Sequence, residues 1–220
     1  MDNNRHNLKF KGRIAKRKDS KLRRDAILTA ALKIIVRDGI RDVRHRAVAK
    51  EANVPLSATT YYFDDIHDLV HDAFLFYIEQ NYSEVDFLEQ QAFEALNAFK
   101  QSHNVEQLKQ SLKQFLMSHI ESQINNREAR IVEWSFRQQA LKDDKLAAAF
   151  YSPQKMMLNT LEAFFTAFNP QETQAMAKAH ITMGTLLQLE YQLLLSEYSK
   201  MTMHDTLAVI EVMLDGPLFS

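Results

Sequence analysis

Cysteine is absent from this 220-residue chain, and glycine and proline occur only four times each. The first absence excludes disulfides, thiolate metal sites and cysteine nucleophiles. The second argues against an all-β fold, which needs many turn residues, and against a parallel α/β fold with glycine-rich loops. No apolar run reaches the ~18 residues that a membrane span requires. No short apolar segment follows the basic N-terminus in the manner of a signal peptide, so the expected location is the cytoplasm. A Glu-x-x-His pair, a glycine-rich phosphate loop and a Gly-x-Ser-x-Gly elbow are all missing. Those are the signatures of helical di-iron enzymes, nucleotide-binding enzymes and serine hydrolases. Neither an enzyme nor a cofactor nor a metal is therefore expected.

What is present is a helix-forming composition, with 46% hydrophobic and 25% charged residues. The predicted class is all-α. A net charge of −1 conceals a separation: residues 1–50 carry +11 and residues 51–220 carry −12. A basic end on an acidic body suits a protein that meets a polyanion with one end, although a basic tail that only aids solubility has the same composition.

Residues 1–19 are polar and basic and read as a flexible arm, with Asp19 and Ser20 as candidate helix caps. Ala26, Ile27, Ala30, Ala31, Ile34 and Ile35 then recur at helical spacing up to Asp38-Gly39. A short helix is predicted over about 44–51. Asn53-Val54-Pro55 makes a turn, a second short helix covers about 56–62, and Asp64-Asp65 caps a further helix from 66. Two short helices joined by a tight turn behind a longer one form a helix-turn-helix arrangement. The second helix of such a pair fits the DNA major groove.

The stretch ILTAALKIIVRDGIRDVRHRAVAKEANVPLSATTYYFDDIHDLV resembles the DNA-binding domain of TetR-type transcriptional regulators. The ordered positions are Ile-Leu-x-Ala-Ala, Gly39, Val48-Ala49, Ala52-x-Val54, an aromatic-rich helix ending in Phe63, and Leu69. The resemblance covers about 20–75. Asn53 stands where that family has Gly, Arg44 where it caps the helix with Ser or Thr, Thr60 where it has a Tyr, and Ile66 where it has a Lys. The resemblance implies a DNA-binding head over 20–65 and an effector-binding, dimerising body over 66–220. The implied contacts to double-stranded DNA are Arg44, Arg46, Pro55, Leu56, Ser57, Ala58, Thr59, Thr60, Tyr61 and Tyr62, with Lys21 and Arg24 from the basic run. The implied operator is palindromic, because a two-fold homodimer presents two heads.

In the body, helices are predicted over about 66–80, 84–101, 104–125, 127–149, 153–168, 171–199 and 203–214. Residues 171–199 are apolar on two sides, which calls for packing on two sides. Gly184 in the middle costs ~1 kcal/mol against Ala, a cost that makes sense where two backbones approach closely. Polar groups on apolar stripes are either satisfied in the core or line a cavity. Phe115, His119, Trp134, Arg137, His180 and Met183 are accordingly candidate contacts for a small apolar or amphipathic effector, with Arg137 as an anion anchor. Ordinary satisfied core residues are the competing reading. His67 and His71 lie one turn apart on a face expected to be exposed, without the rest of a zinc motif. The function implied is a repressor released from its operator by an effector; the alternative is a ligand-independent architectural DNA-binding dimer.

Overall fold

A computed structural model of the protein describes residues 10–15, 17–216 and 218–219, with the backbone alone over 81–89. The first nine residues of the expected arm lie outside the described residues. Helices and connecting turns, with no strand among the described residues, make up the fold: α1 (Lys18–Asp38), a 3-10 turn (Ile40–Asp42), α2 (His45–Glu51), α3 (Leu56–Tyr62), α4 (Ile66–Ser102), α5 (Val105–Asn125), α6 (Arg127–Ala140), α7 (Asp144–Phe168), α8 (Ala175–Leu194), α9 (Ser196–Ser199) and α10 (Met203–Asp215). Among the described residues, no helix is long and apolar enough to cross a membrane.

The chain divides into two compact units. The first runs up to Tyr82 and includes Ile131–Tyr151; the second comprises Ser83–Arg130 and Ser152–Ser220. The expected boundary between 65 and 66 is not where this division falls. It falls inside α4, α6 and α7, and α6 and α7 lend their adjoining ends to the first unit.

In the first unit Ile27, Ala30, Ala31, Ile34 and Ile35 of the predicted α1 stripe are buried, whereas Ala26 is exposed and Leu28 takes the inward place beside Ile27. Val48 of α2, Phe63, Leu69 and Ala73 close around it. The far side is sealed by aromatics: the Phe74 ring lies 4.6 Å from Phe136 and 5.5 Å from Phe150, centroid to centroid. Leu146, at the start of α7, joins the same core. In the second unit α5 packs on α8 and α10 around Leu108, Leu112, Ile120, Leu189, Leu193, Ile210 and Met213. Lys178 anchors the chain end there, donating to the Leu218 carbonyl at 3.0 Å while pairing with Glu172 at 2.7 Å.

Several predicted boundaries move, each for a local reason. Helix α1 begins at Lys18 with Arg17 as N-cap, and neither Asp19 nor Ser20 caps it. The Ser20 hydroxyl is instead engaged with the Tyr62 hydroxyl at 2.7 Å. The predicted break near 81–83 is absent, since no Gly or Pro occurs between 66 and 102. The predicted 127–149 helix is broken at 141–143, where Asp143 accepts from the amides of Lys145 and Leu146 at 3.0 and 3.1 Å and so caps α7. Conversely, α7 continues through Pro153. An interior proline costs about 3 kcal/mol, which burial of Phe150, Leu158, Phe164 and Phe165 along the same helix can offset. The predicted 171–199 helix begins at Ala175 and ends at Leu194, and the short α9 then stops at Lys200 with φ of +60°. Asn104 and a Thr202–Asp205 capping box start α5 and α10.

Phe136 is fully buried at the centre of the first core. Phe136→Ala is expected to cost about 3–5 kcal/mol, read as a drop in the urea unfolding midpoint with the m-value unchanged.

Candidate nucleic-acid interface

Helix α3 is too short to be stable alone and takes its position from its neighbours. The turn before it needs left-handed backbone, and Asn53 supplies φ of +51°. Pro55 follows at the N-cap. One face of α3 is committed to the core. Thr59 is fully buried and donates to the Leu56 carbonyl at 2.8 Å. Tyr62 is 4% exposed; its hydroxyl donates to the Ser20 carbonyl at 3.1 Å and accepts from the Ser20 hydroxyl. The opposite face is open: Leu56, Ser57, Thr60 and Tyr61 are exposed, as is Pro55 before them, and Ala58 is half-buried. Arg44 and Arg46, at the start of α2 which packs on α3, and Lys21 of α1 are exposed, and none has an ion-pair partner among the described residues.

Three of the twelve implied DNA contacts are therefore corrected. Thr59 and Tyr62 point inward, and Tyr62 bonds α3 to Ser20 of α1. Arg24 is 8% exposed and pairs with Asp72 at 2.7 Å. Its guanidinium also sits 4.7 Å from the Phe10 ring and 5.5 Å from the Phe63 ring.

Asp72 was not singled out in the sequence. Fully buried, it takes the amides of Lys11 and Gly12 on its two oxygens at 2.7 and 2.9 Å, beside Arg24 and the His71 ring nitrogen at 3.0 Å. Residues 10–15 of the expected flexible arm are thereby bonded to the unit. His71 is buried, so the pair with His67 is not an exposed one; His67 is exposed and faces Asp143 at 3.7 Å. Among the described residues, no group of three or more His, Cys, Asp or Glu could hold a metal ion.

The candidate effector contacts are distributed over both units. In the first unit, the Arg137 guanidinium stacks on Trp134 at 4.8 Å and near Phe150 at 5.3 Å, and pairs with Glu133 at 3.3 Å. In the second unit, His119 lies 3.6 Å from Glu190, Gln123 is 3.5 Å from its other ring nitrogen, and Arg130 is 3.7 Å from Glu190. Phe115 and Met183 are half-buried there, whereas His180 is exposed on α8. Burial pushes the His119 ring down to about 4, and the positive charge of Arg130 adds to the effect. The Glu190 carboxylate is shared with Arg130, which leaves it little power to hold a proton on His119.

No family model and no curated protein matches the sequence. Solved structures do match. A TetR-family protein from Streptomyces coelicolor is 22% identical, with 87% of this chain and 97% of that one covered at a TM-score of 0.54. A TetR-family transcriptional regulator from Mesorhizobium loti is 14% identical, with 90% and 96% covered at 0.68. The multidrug binding protein EbrR, complexed with proflavin, is 22% identical, with 87% and 99% covered at 0.51. The fold is the TetR fold.

Within that TetR fold, Asp72 and Arg24 were legible only in part. Both lie on apolar stripes, Asp72 between Leu69 and Phe76 and Arg24 before Ile27 and Leu28, and opposite charges on two buried stripes are a pairing signal. Arg130 had no such signal.

The low value for His119 sets a pH dependence. The unfolded ring titrates near 6.5 and the folded ring near 4, so the unfolded chain takes up the extra proton between those values. Stability present above pH 6.5 is lost as pH falls towards 4. Urea unfolding between pH 7.5 and 4.5 should show this loss, and His119→Gln should reduce it.

Proposed function

We propose that the protein is a sequence-specific DNA-binding transcriptional regulator acting as a homodimer, and specifically a repressor released from a palindromic operator by a small apolar or amphipathic effector. The observation that carries this reading is the divided α3. One face is turned inward, with Thr59 buried and Tyr62 bonded to Ser20, while the other presents Ser57, Thr60 and Tyr61 to solvent, and Arg44, Arg46 and Lys21 are exposed on the segments before it. Hydroxyl and aromatic groups on an open helix face suit groove contacts, and exposed cations beside it suit phosphates. The TetR fold supports the assignment, as does the proflavin complex of EbrR for the effector. On this reading the protein works in the cytoplasm and performs no catalysis.

The face of α8 carrying Ile181, Gly184, Gln188 and Tyr191 is exposed, and a Cβ at Gly184 would meet nothing within 4 Å in its own chain. This is the surface on which a second copy would close the two-fold dimer. His180, expected to contact effector, borders it. The effector reading rests instead on the half-buried Phe115, His119 and Met183 of the second unit. Effector and DNA would then bind with opposed preferences for two states of the dimer.

Selection from a random duplex library at fixed salt tests the reading. A palindrome is expected, and Arg46→Ala should reduce the salt slope of binding by about 1. Recovery of no motif, with salt-sensitive binding only, would instead favour the architectural alternative. Gly184→Leu should weaken the dimer in sedimentation without lowering the melting temperature of the monomeric chain.

A further inference from the structure

We propose that residues 10–15 are a strap that fixes a second phosphate-binding element beside α3, with Asp72 as the residue that positions it; the inference rests on the DNA-binding reading above. The strap has no helical bonds of its own. Its path is set by three backbone donors: Lys11 and Gly12 to the two oxygens of Asp72, and Arg13 to the Tyr62 carbonyl at 2.8 Å. Phe10 fills the place under the Arg24 guanidinium. Gly12 is seated so closely that a Cβ would lie 2.9 Å from the Tyr62 carbonyl oxygen and overlap the buried Phe63 ring. The register of the strap is thus fixed at three consecutive residues, Lys11, Gly12 and Arg13.

This register leaves Lys11 and Arg13 exposed on the outer side. The Arg13 guanidinium lies 4.7 Å from the ring of Tyr61, which is itself 56% exposed on the open face of α3. Arg13 and Tyr61 therefore form one continuous surface, and the cation is held there by a stacked ring and a bonded backbone rather than by a free tail. Residues 10–18 contain no acidic side chain. A cationic edge contiguous with an aromatic and hydroxyl-bearing helix face suits the phosphate backbone of duplex DNA next to the bases that α3 reads. Asp72 does not touch DNA in this arrangement. It neutralises Arg24, which would otherwise be a buried unpaired charge, and it binds the strap.

The test uses the full chain and a selected duplex, and reads the slope of log affinity against log salt. Gly12→Ala changes no charge but forces the strap off Phe63. The slope should fall by about 2, because Lys11 and Arg13 leave the phosphates together, while Arg13→Gln should lower it by about 1. Should Gly12→Ala not fold, a double-mutant cycle of the exposed pair Arg13→Gln and Tyr61→Leu gives the same answer: the losses should be non-additive. An unchanged slope in Gly12→Ala, or strict additivity in the cycle, overturns the strap while leaving the wild-type site preference intact. A wild-type chain that binds no duplex overturns both readings.

Discussion

Asp72 is buried without access to solvent, and a carboxylate there costs several kcal/mol unless its lone pairs are engaged and its charge is matched. The first unit is arranged around that requirement. Arg24 must turn inward, so α1 gives up one of its cations to the core. Two amides of the N-terminal segment must approach the same carboxylate, so the segment crosses the unit instead of leaving it. The rings of Phe10 and Phe63 then lie 4.7 and 5.5 Å from the guanidinium. The aromatic cluster of Phe74, Phe136 and Phe150 adds apolar burial, but it does not dictate direction in this way.

The same requirement separates the polar residues of the head into two groups. Arg24 pairs with Asp72 at the start of α4 and Tyr62 bonds Ser20 between α3 and α1, which holds the three in one geometry, while Thr59 closes on its own helix. Arg44, Arg46, Ser57 and Tyr61 stand outside that group and face outward, as does Thr60, whose hydroxyl reaches only the Leu56 and Ser57 carbonyls of its own helix at 3.4 and 3.3 Å. A seven-residue helix has no rigidity of its own. Its open face has a defined shape only because its other face is bonded down. In the second unit a separate polar cluster gathers His119, Gln123, Arg130 and Glu190, with His119 3.6 Å from Glu190 and 3.5 Å from Gln123.

Periodicity and capping residues made the head legible to within a residue or two. Ile27, Ala31 and Ile34 mark a stripe that only a helix makes, and Asn53-Val54-Pro55 leaves few choices of turn. The body was less legible, because long helices are decided by burial more than by local signals. Pro153 is a strong stop in isolation, yet the apolar residues on both sides carry α7 through it. Asp143 looks unremarkable in sequence and nonetheless breaks a predicted helix. For the interface, residue type showed where the surface is but not which side chains face it. Thr59 and Thr60 are chemically alike, and only tertiary packing turns one inward. Asp72 was missed because its place on the stripe of Leu69 and Phe76 becomes a pairing signal only when Arg24 is seen opposite it.

Hydrogen exchange of the full chain, with and without its selected duplex, tests most directly the claim that the open face of α3, its neighbouring cations and the strap form the DNA surface. Slower exchange is expected over residues 10–15 and 44–62, with α10 unchanged. Protection confined to α5, α8 and α10, with residues 10–62 unaffected, would contradict the account.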